Sequence, residues 1–161
     1  MYCVIHSKWR VTDTLSYFTQ TFYTIRVADW TCDAANLSLI RRSVFINEQQ
    51  VPEELEWDEW DSKCLHVIAM SNSNEPIGTA RMLPNGYVGR MAVIKQWRRK
   101  GVGSALLLKI LSEMEKCNLN CATLNAQVAA RKFYERFGFR KIGEEFMEAG
   151  IPHIKMILKL R

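Results

Sequence analysis

Hydrophobic residues follow two different spacings along this chain of 161 residues, and the spacing separates predicted helices from predicted strands. Apolar positions recur every three or four residues in residues 33–45 and 101–114, which predicts two amphipathic helices. Shorter apolar or alternating runs, bounded by turn residues, predict seven strands at residues 22–27, 64–70, 77–83, 88–94, 121–125, 139–146 and 153–160. A third, shorter helix is predicted at residues 129–136 and is stopped by Gly138.

This order of elements predicts an α/β fold: a mixed, mostly antiparallel central sheet of about seven strands with helices on both faces. We expect one domain at residues 22–161, preceded by an extension at residues 1–21 to which no role is assigned. A hydrophobic fraction of 48% with 24% charged residues is typical of a globular chain and excludes a disordered one.

The strongest chemical signal is a basic turn between the strand at residues 88–94 and the helix that follows. Lys95, Arg98, Arg99 and Lys100 lie within six residues, and glycines then open the helix. A helix N-terminus presents unpaired N–H groups and the positive end of the helix dipole, and glycines let a phosphate approach the backbone. The net charge of +5 is concentrated in this region. The sequence therefore predicts an anion site, suited to a pyrophosphate.

Other phosphate-binding loops fit this turn less well. The string G-x-x-x-x-G-K-[ST] of a P-loop does not occur, and Leu106 takes the place of the third glycine of a dinucleotide fingerprint. Two alternatives stay open from the residues alone: a helix with a glycine start and a solvated basic face, or a nucleic-acid surface. The second is disfavoured because the basic patch is short and has few aromatic residues near it.

The remaining polar residues set further expectations. The acidic run at residues 53–61 is either a solvated face or a surface that accepts a cationic amine. Five cysteines without C-x-x-C spacing are expected to be reduced, mostly buried thiols. Cys117, Cys121 and a histidine are an alternative zinc site, but we expect no metal. No apolar run is long enough to span a bilayer and residues 1–10 do not form a signal peptide, so we expect a cytoplasmic protein.

Two motifs together resemble a known family. Residues 98–103, Arg-Arg-Lys-Gly-Val-Gly, fit R-x-x-G-x-G, and residues 130–139, Ala-Arg-Lys-Phe-Tyr-Glu-Arg-Phe-Gly-Phe, fit A-x-x-[LF]-Y-x-x-x-G-F. Their order, with one strand between them, resembles the GCN5-related N-acetyltransferase (GNAT) family over about residues 22–160. Residues 44–52 and 143–153 resemble its ElaA-like subgroup.

The resemblance implies an acetyl-CoA-dependent N-acetyltransferase that moves an acetyl group directly to a primary amine in a ternary complex. The amine is a small molecule or a peptide, and a homodimer is possible in such folds. The alternative is a non-catalytic module that senses acetyl-CoA or contacts a partner. The family implies that the donor lies between the fourth and fifth strands, which splay apart.

The resemblance also implies roles for individual residues. Tyr134 is the expected general acid. The candidates for the base are Glu48, His66, Glu144, Glu145 and His153, of which Glu48 and His153 are the expected acceptor-site residues. Arg99 departs from the glycine, and Gln127 from the asparagine, that the family often has at these places. The implied donor-binding residues are Met91, Ala92, Val93, Arg98, Arg99, Lys100, Gly101, Val102, Gly103, Ser104, Gln127, Phe133 and Tyr134.

Overall fold

The structure, a computed structural model, describes residues 22–160, so the predicted extension at residues 1–21 lies outside the described residues. Seven strands occur: β1 Tyr23–Ala28, β2 Leu65–Ser71, β3 Pro76–Met82, β4 Val88–Val93, β5 Cys121–Gln127, β6 Arg140–Glu148 and β7 Ile151–Lys159. The α-helices are α1 Trp30–Arg41, α2 Glu53–Glu56, α3 Val102–Lys116 and α4 Arg131–Glu135. Short 3₁₀ turns occupy Asp61–Lys63, Lys95–Trp97 and Val128–Ala130. Within residues 22–160, no helix has the length and apolar character needed to cross a bilayer.

The first helical segment differs most from its predicted bounds. It begins three residues earlier than the predicted start because the Asp29 side chain caps it, accepting a hydrogen bond of 2.8 Å from the Thr31 N–H. Beyond Arg41 the backbone continues as a π-helical segment, Arg42–Glu48. At the end of this segment Glu48 contacts Arg98, and the next residue, Gln49, contacts Gln127 of β5.

The strands form two antiparallel sheets rather than one continuous sheet. The larger has the order β1-β2-β3-β4 and the smaller the order β5-β7-β6. Among the described residues the two sheets share a single parallel bridge between Tyr87 and Thr123, where the Thr123 N–H donates to Gly86 O at 3.1 Å. The predicted α/β fold with seven strands is confirmed, and β4 and β5 part after this bridge.

Helices cover both faces of the larger sheet, because buried residues of β2 belong in turn to two different cores. Val67 and Ala69 belong to a core that includes Leu106 and Ile110 of α3. Ile68 between them faces the opposite way, into a second core with α1 residues Leu37 and Ile40. Because successive strand residues point to opposite faces, both layers are needed to bury β2.

Three of the six carboxylates in the acidic run, those of Glu56, Asp58 and Asp61, take part in a network of ion pairs with arginines. Arg41 is fully buried and donates to Glu56 Oε1 and Asp61 Oδ1, both at 2.6 Å. Arg81 of β3 donates to the same Asp61 oxygen and to Asp58, each at 2.7 Å. Three of the carboxylates that could have formed a surface for a cationic amine are therefore neutralised by the protein's own arginines.

We expect Arg41→Ala to destabilise the fold by about 3–5 kcal/mol, because removing one partner leaves buried carboxylates without a counter-charge. The free energy of urea-induced unfolding measures this loss. The neighbouring Arg42→Ala is the matched control, since Arg42 pairs with Glu53 in solvent and its removal should change stability little. Equal losses for the two variants would contradict a structural role for the buried network.

Candidate active site

A bulge in β4 shapes the opening between the two sheets. Between the pairs Thr79–Ala92 and Arg81–Gly89, β4 contains one residue more than β3. Arg90 lies in this bulge with a φ of 48°, a left-handed conformation that is unfavourable for a residue with a side chain. Its guanidinium donates to the Leu55 and Glu56 carbonyl oxygens at 3.1 and 3.2 Å, which fixes the bulge against the acidic segment.

A cavity of about 360 Å³ lies where β4 and β5 diverge. β4 and the residue before it contribute Tyr87 and Met91, and β5 contributes Asn125 and Gln127. The cavity is also lined by Tyr134 of α4 and by the β6–β7 hairpin, through Glu148 and His153. Two of the three predicted catalytic residues, Tyr134 and His153, therefore line one cavity.

The phenol of Tyr134 lies in the wall of this cavity, and its hydroxyl proton is held only by a weak acceptor. Its O–H donates to the Met91 Sδ at 3.5 Å, a weak hydrogen bond to a thioether. Burial, with a smaller contribution from Tyr87, raises the pKa of Tyr134 to about 12. The phenol therefore stays protonated at neutral pH and can act as a proton donor.

His153 presents one ring nitrogen as a potential base. Its Nδ1 lies 2.8 Å from the Ile151 carbonyl oxygen, which can only accept, so Nδ1 carries the proton. The neutral ring then has its lone pair on Nε2. The ring also stacks on Phe146 with centroids 6.1 Å apart, which restrains its orientation.

A second, basic groove of about 460 Å³ lies at the N-terminus of α3, and we call it the anion groove. Seven of the predicted donor-binding residues line it: Val93, Arg98, Arg99, Gly101, Gly103, Ser104 and Phe133. Phe133 and Arg136 close its other side. The structure thus brings together the basic turn, the helix start and the aromatic motif that the sequence separates by about 30 residues.

The backbone of the basic turn explains the role of its glycine and the departure at Arg99. Gly101 has a φ of 85°, and an added Cβ would lie 3.1 Å from the Tyr23 hydroxyl oxygen, so no other residue fits well. Arg99 has a φ of 61°, also left-handed, at the place where the family often has glycine. Holding a side chain in this conformation costs about 1–2 kcal/mol.

The predicted donor residues outside the anion groove divide into three kinds. Ala92 and Val102 have buried side chains, so only their backbone groups could reach a ligand. Lys100 places its ammonium 5.2 Å from the Trp97 ring and does not line the groove. Gln127 lines the cavity, and its Nε2 donates to Gln49 Oε1 at 2.9 Å.

Glu48 lies apart from the cavity and forms an ion pair with Arg98. Both Arg98 terminal nitrogens donate to the Glu48 carboxylate at 2.6 Å, and the Arg98 Nε donates to Val93 O at 2.9 Å. The hydrogen bond from Arg98 holds the pKa of Glu48 below its usual range. As a result Glu48 is a weaker base than an isolated glutamate, and its role as the base stays a prediction.

Several residues of the two pockets were missed by the sequence analysis. Arg136 follows Phe133 by three residues, so helical spacing places both on the same face of the segment that begins with α4. Asn125 precedes Gln127 by two residues in β5 and shares its face. Both could have been found from these spacings. Tyr87 and Glu148 carried no comparable signal.

The cysteine expectation needs a correction. Cys32 and Cys117 are exposed and Cys64 and Cys121 are half-buried, so the four described thiols are free but not mostly buried. Short polar segments at the helix ends and at the strand start place these residues near the surface. No group of three His, Cys, Asp or Glu side chains able to hold a metal occurs within residues 22–160, so the zinc alternative finds no ligand set there.

Known proteins are similar to this chain in both sequence and architecture. A family model described as an acetyltransferase (GNAT) domain matches residues 28–160. The Bacillus subtilis protein named uncharacterized N-acetyltransferase YjcF is 34% identical over 122 residues, covering 73% of this chain and 86% of that protein. Escherichia coli ElaA is 31% identical over 128 residues, covering 73% of this chain and 81% of ElaA.

Solved structures agree with these matches. The crystal structure of ElaA has a TM-score of 0.72 over 84% of this chain and 98% of that one. An acyl-CoA N-acyltransferase from Pseudomonas aeruginosa is 29% identical, with a TM-score of 0.74 over 84% of this chain and 97% of that one. The predicted likeness to ElaA is confirmed, and the shared fold implies binding of an acyl-CoA. With the family model matched over most of the described residues, the chain belongs to the GNAT acetyltransferase family.

Proposed function

We propose that the protein is an N-acetyltransferase that moves an acetyl group from acetyl-CoA directly to a primary amine in a ternary complex. One observation carries the proposal: β4 and α4 each place neighbouring residues in both pockets. Met91 and Tyr134 line the cavity, while Val93 and Phe133 line the anion groove. A ligand with a pyrophosphate at one end and a thioester at the other could therefore follow one continuous path.

The anion groove supplies three kinds of contact for the pyrophosphate of the donor. The first N–H groups of α3 have no partner within the helix and point along the positive end of its dipole. Arg98, Arg99 and Arg136 add cationic side chains at the groove wall. Gly103 leaves space beside Phe133, because even an added Cβ would contact it only at 3.8 Å. The residues present fit the group that the family binds.

The exposed edge of β4 offers the backbone contacts for the pantetheine arm. β4 is the last strand of the larger sheet, so within residues 22–160 its backbone groups on the side of β5 have no strand partner beyond the Tyr87–Thr123 bridge. The segment Met91–Val93 can pair there with the amides of the donor. An N–H from the bulged segment is available to stabilise the carbonyl oxygen that gains negative charge during attack, a contribution of about 3 kcal/mol.

When bound, acetyl-CoA supplies an activated thioester. Tyr134 donates its O–H proton to the departing sulfur as the new bond to nitrogen forms and the carbon–sulfur bond breaks. Against the reference thiol pKa of about 8.5, a phenol pKa of about 12 makes full transfer uphill by about 5 kcal/mol. Burial in the same cavity also destabilises the thiolate and raises the pKa of the thiol. The difference between the phenol and thiol pKa values is therefore smaller there than the reference values suggest.

The amine must lose a proton before or during attack, and His153 is the base we favour. Its Nε2 lone pair belongs to a residue that lines the same cavity as Tyr134. Glu48 remains the second candidate, acting through water, although Arg98 now occupies its carboxylate. The arrangement requires no metal ion for either proton transfer.

The alternative function is a sensor that binds acetyl-CoA without turnover. The buried, protonated Tyr134 argues for catalysis, because an aromatic residue without a hydroxyl would fill the same space in a sensor. A cytoplasmic location belongs to our proposal, since free thiols suit a reducing compartment. A homodimer stays a prediction.

Donor binding should compete with the Glu48–Arg98 ion pair. We expect Arg98→Ala to weaken CoA binding about tenfold or more, because it removes charge-assisted contacts to phosphate. Glu48→Gln should tighten CoA binding about threefold, because it frees Arg98 from a partly exposed ion pair. Isothermal titration calorimetry with CoA measures both changes.

Arg131→Ala is the control for these variants, because Arg131 pairs with Glu135 on α4 outside the anion groove. Its affinity for CoA should match that of the native protein. Weaker binding by Glu48→Gln would show that the carboxylate supports the groove rather than competing for Arg98.

The general-acid role predicts that Tyr134→Phe lowers kcat about 100-fold or more while CoA affinity is retained. Thiol release from acetyl-CoA, measured with a panel of amines, tests both this variant and the proposed activity. Tyr87→Phe is the matched control, since it removes the other buried phenol of the cavity and should keep most of the rate. A native protein that is thermally stabilised by acetyl-CoA but releases no thiol with any amine would be a sensor.

The base role predicts that His153→Asn lowers kcat about 100-fold. An asparagine amide can still donate to the Ile151 carbonyl, so the variant removes the base while keeping that structural contact. The shape of the pH dependence of kcat/KM should therefore change in the variant. A pH–rate profile of unchanged shape would exclude His153 as the base.

A further inference from the structure

The β6–β7 hairpin forms the wall of the cavity opposite the acidic segment. Glu148 and Ile151 are the last paired residues, and the two residues between them have positive φ values, 49° at Ala149 and 76° at Gly150. Two central residues with positive φ are typical of a type I′ turn, the tightest connection between antiparallel strands. Glu148 is therefore held at a fixed position on the rim of the cavity.

The charges that line the cavity leave one carboxylate available to a ligand. Glu56 is buried and paired with Arg41 at 2.6 Å, and Arg90 lies 3.3 Å from its other oxygen. Arg90 is in turn bound to backbone carbonyls and to Asp58. Glu148 forms no ion pair within the described part of the chain, and it accepts a hydrogen bond of 3.3 Å from the neutral Asn125 side chain.

The field of Glu148 extends into the cavity. After burial, the negative charge of Glu148 is the next largest cause of the raised pKa of Tyr87, a phenol in the cavity wall. Tyr87 in turn contributes to the raised pKa of Tyr134. A positive group placed beside Glu148 would therefore lie within electrostatic reach of the residues around the reacting atoms.

We propose that Glu148 recognises a second positive charge on the acceptor, and that the preferred acceptors are aliphatic diamines. The inference rests on the proposed function. The attacking amine must be neutral, so an acceptor with a single amine loses its attraction to Glu148 before the reaction. A second ammonium group keeps its charge throughout, so its pairing with Glu148 persists in the transition state and raises kcat/KM.

Three amines of equal chain length test the proposal: 1,5-diaminopentane, 1-aminopentane and 5-aminopentanoate. With the native protein, kcat/KM should be about tenfold or more higher for the diamine than for the monoamine, and lowest for the anionic amino acid. Glu148→Gln should reduce the value for the diamine to near that of the monoamine, so that the ratio of the two values falls to about one. The difference should shrink as ionic strength rises, because Glu148 is exposed.

Glu145→Gln is the matched control, because Glu145 lies on the same strand as Glu148 but does not line the cavity. It pairs with Ile154, whose side chain points into the core rather than into the cavity. It should keep the preference for the diamine. Equal kcat/KM for diamine and monoamine in the native protein would overturn the role of Glu148 but not the proposed function. A preference for the diamine that survives in Glu148→Gln would do the same. Absence of thiol release with all amines would instead overturn the proposed function, and the inference with it.

Discussion

The divergence of β4 from β5 is the constraint on which the candidate site depends. Adjacent strands normally satisfy each other's backbone donors and acceptors, and buried groups left without partners are costly. In the described part of the chain, the bridge between Tyr87 and Thr123 is the pairing that joins the sheets, and the next residues of β4 bend away through the bulge at Arg90. The same divergence therefore creates the cavity and leaves an edge of β4 without a strand partner among the described residues, the edge that our proposal assigns to the donor.

The buried ion network maintains this divergence from a distance. It connects α1 through Arg41, β3 through Arg81 and the acidic segment through Glu56, Asp58 and Asp61. The same segment accepts hydrogen bonds from Arg90, the residue with left-handed backbone in the bulge. The sequence alone would place these carboxylates on the surface. In the structure they belong to the segment that holds the bulge of β4 in place.

Local chemistry made part of the structure predictable from the sequence. The basic turn, Gly101 and the start of α3 follow from rules that involve a few neighbouring residues, and the structure places the groove there. The seven strands and the approximate positions of α1, α3 and α4 follow from hydrophobic spacing. The motif around Tyr134 indicated a catalytic phenol only through resemblance, since spacing alone does not distinguish it from a core aromatic residue.

The remaining features depend on contacts between residues far apart in the chain. Arg41 and Asp61 are 20 residues apart, and Arg98 and Glu48 are 50 apart, so no local pattern pairs them. Lateral strand order also has no signal in hydrophobic spacing, which is why the split into two sheets was not expected from the residues alone. The position of Glu148 on the cavity rim depends on the turn at Ala149 and Gly150, so its contact with the cavity could not be predicted from the sequence.

Arg99 shows how stability and ligand affinity oppose each other at one backbone position. A glycine there would relax the left-handed conformation and stabilise the chain by about 1 kcal/mol, but it would remove one of the cations of the anion groove. A substitution that raises the thermal stability at this position would therefore lower the positive charge that the anion groove offers to a ligand. The backbone conformation of residue 99 therefore favours glycine, whereas the charge of the anion groove favours arginine.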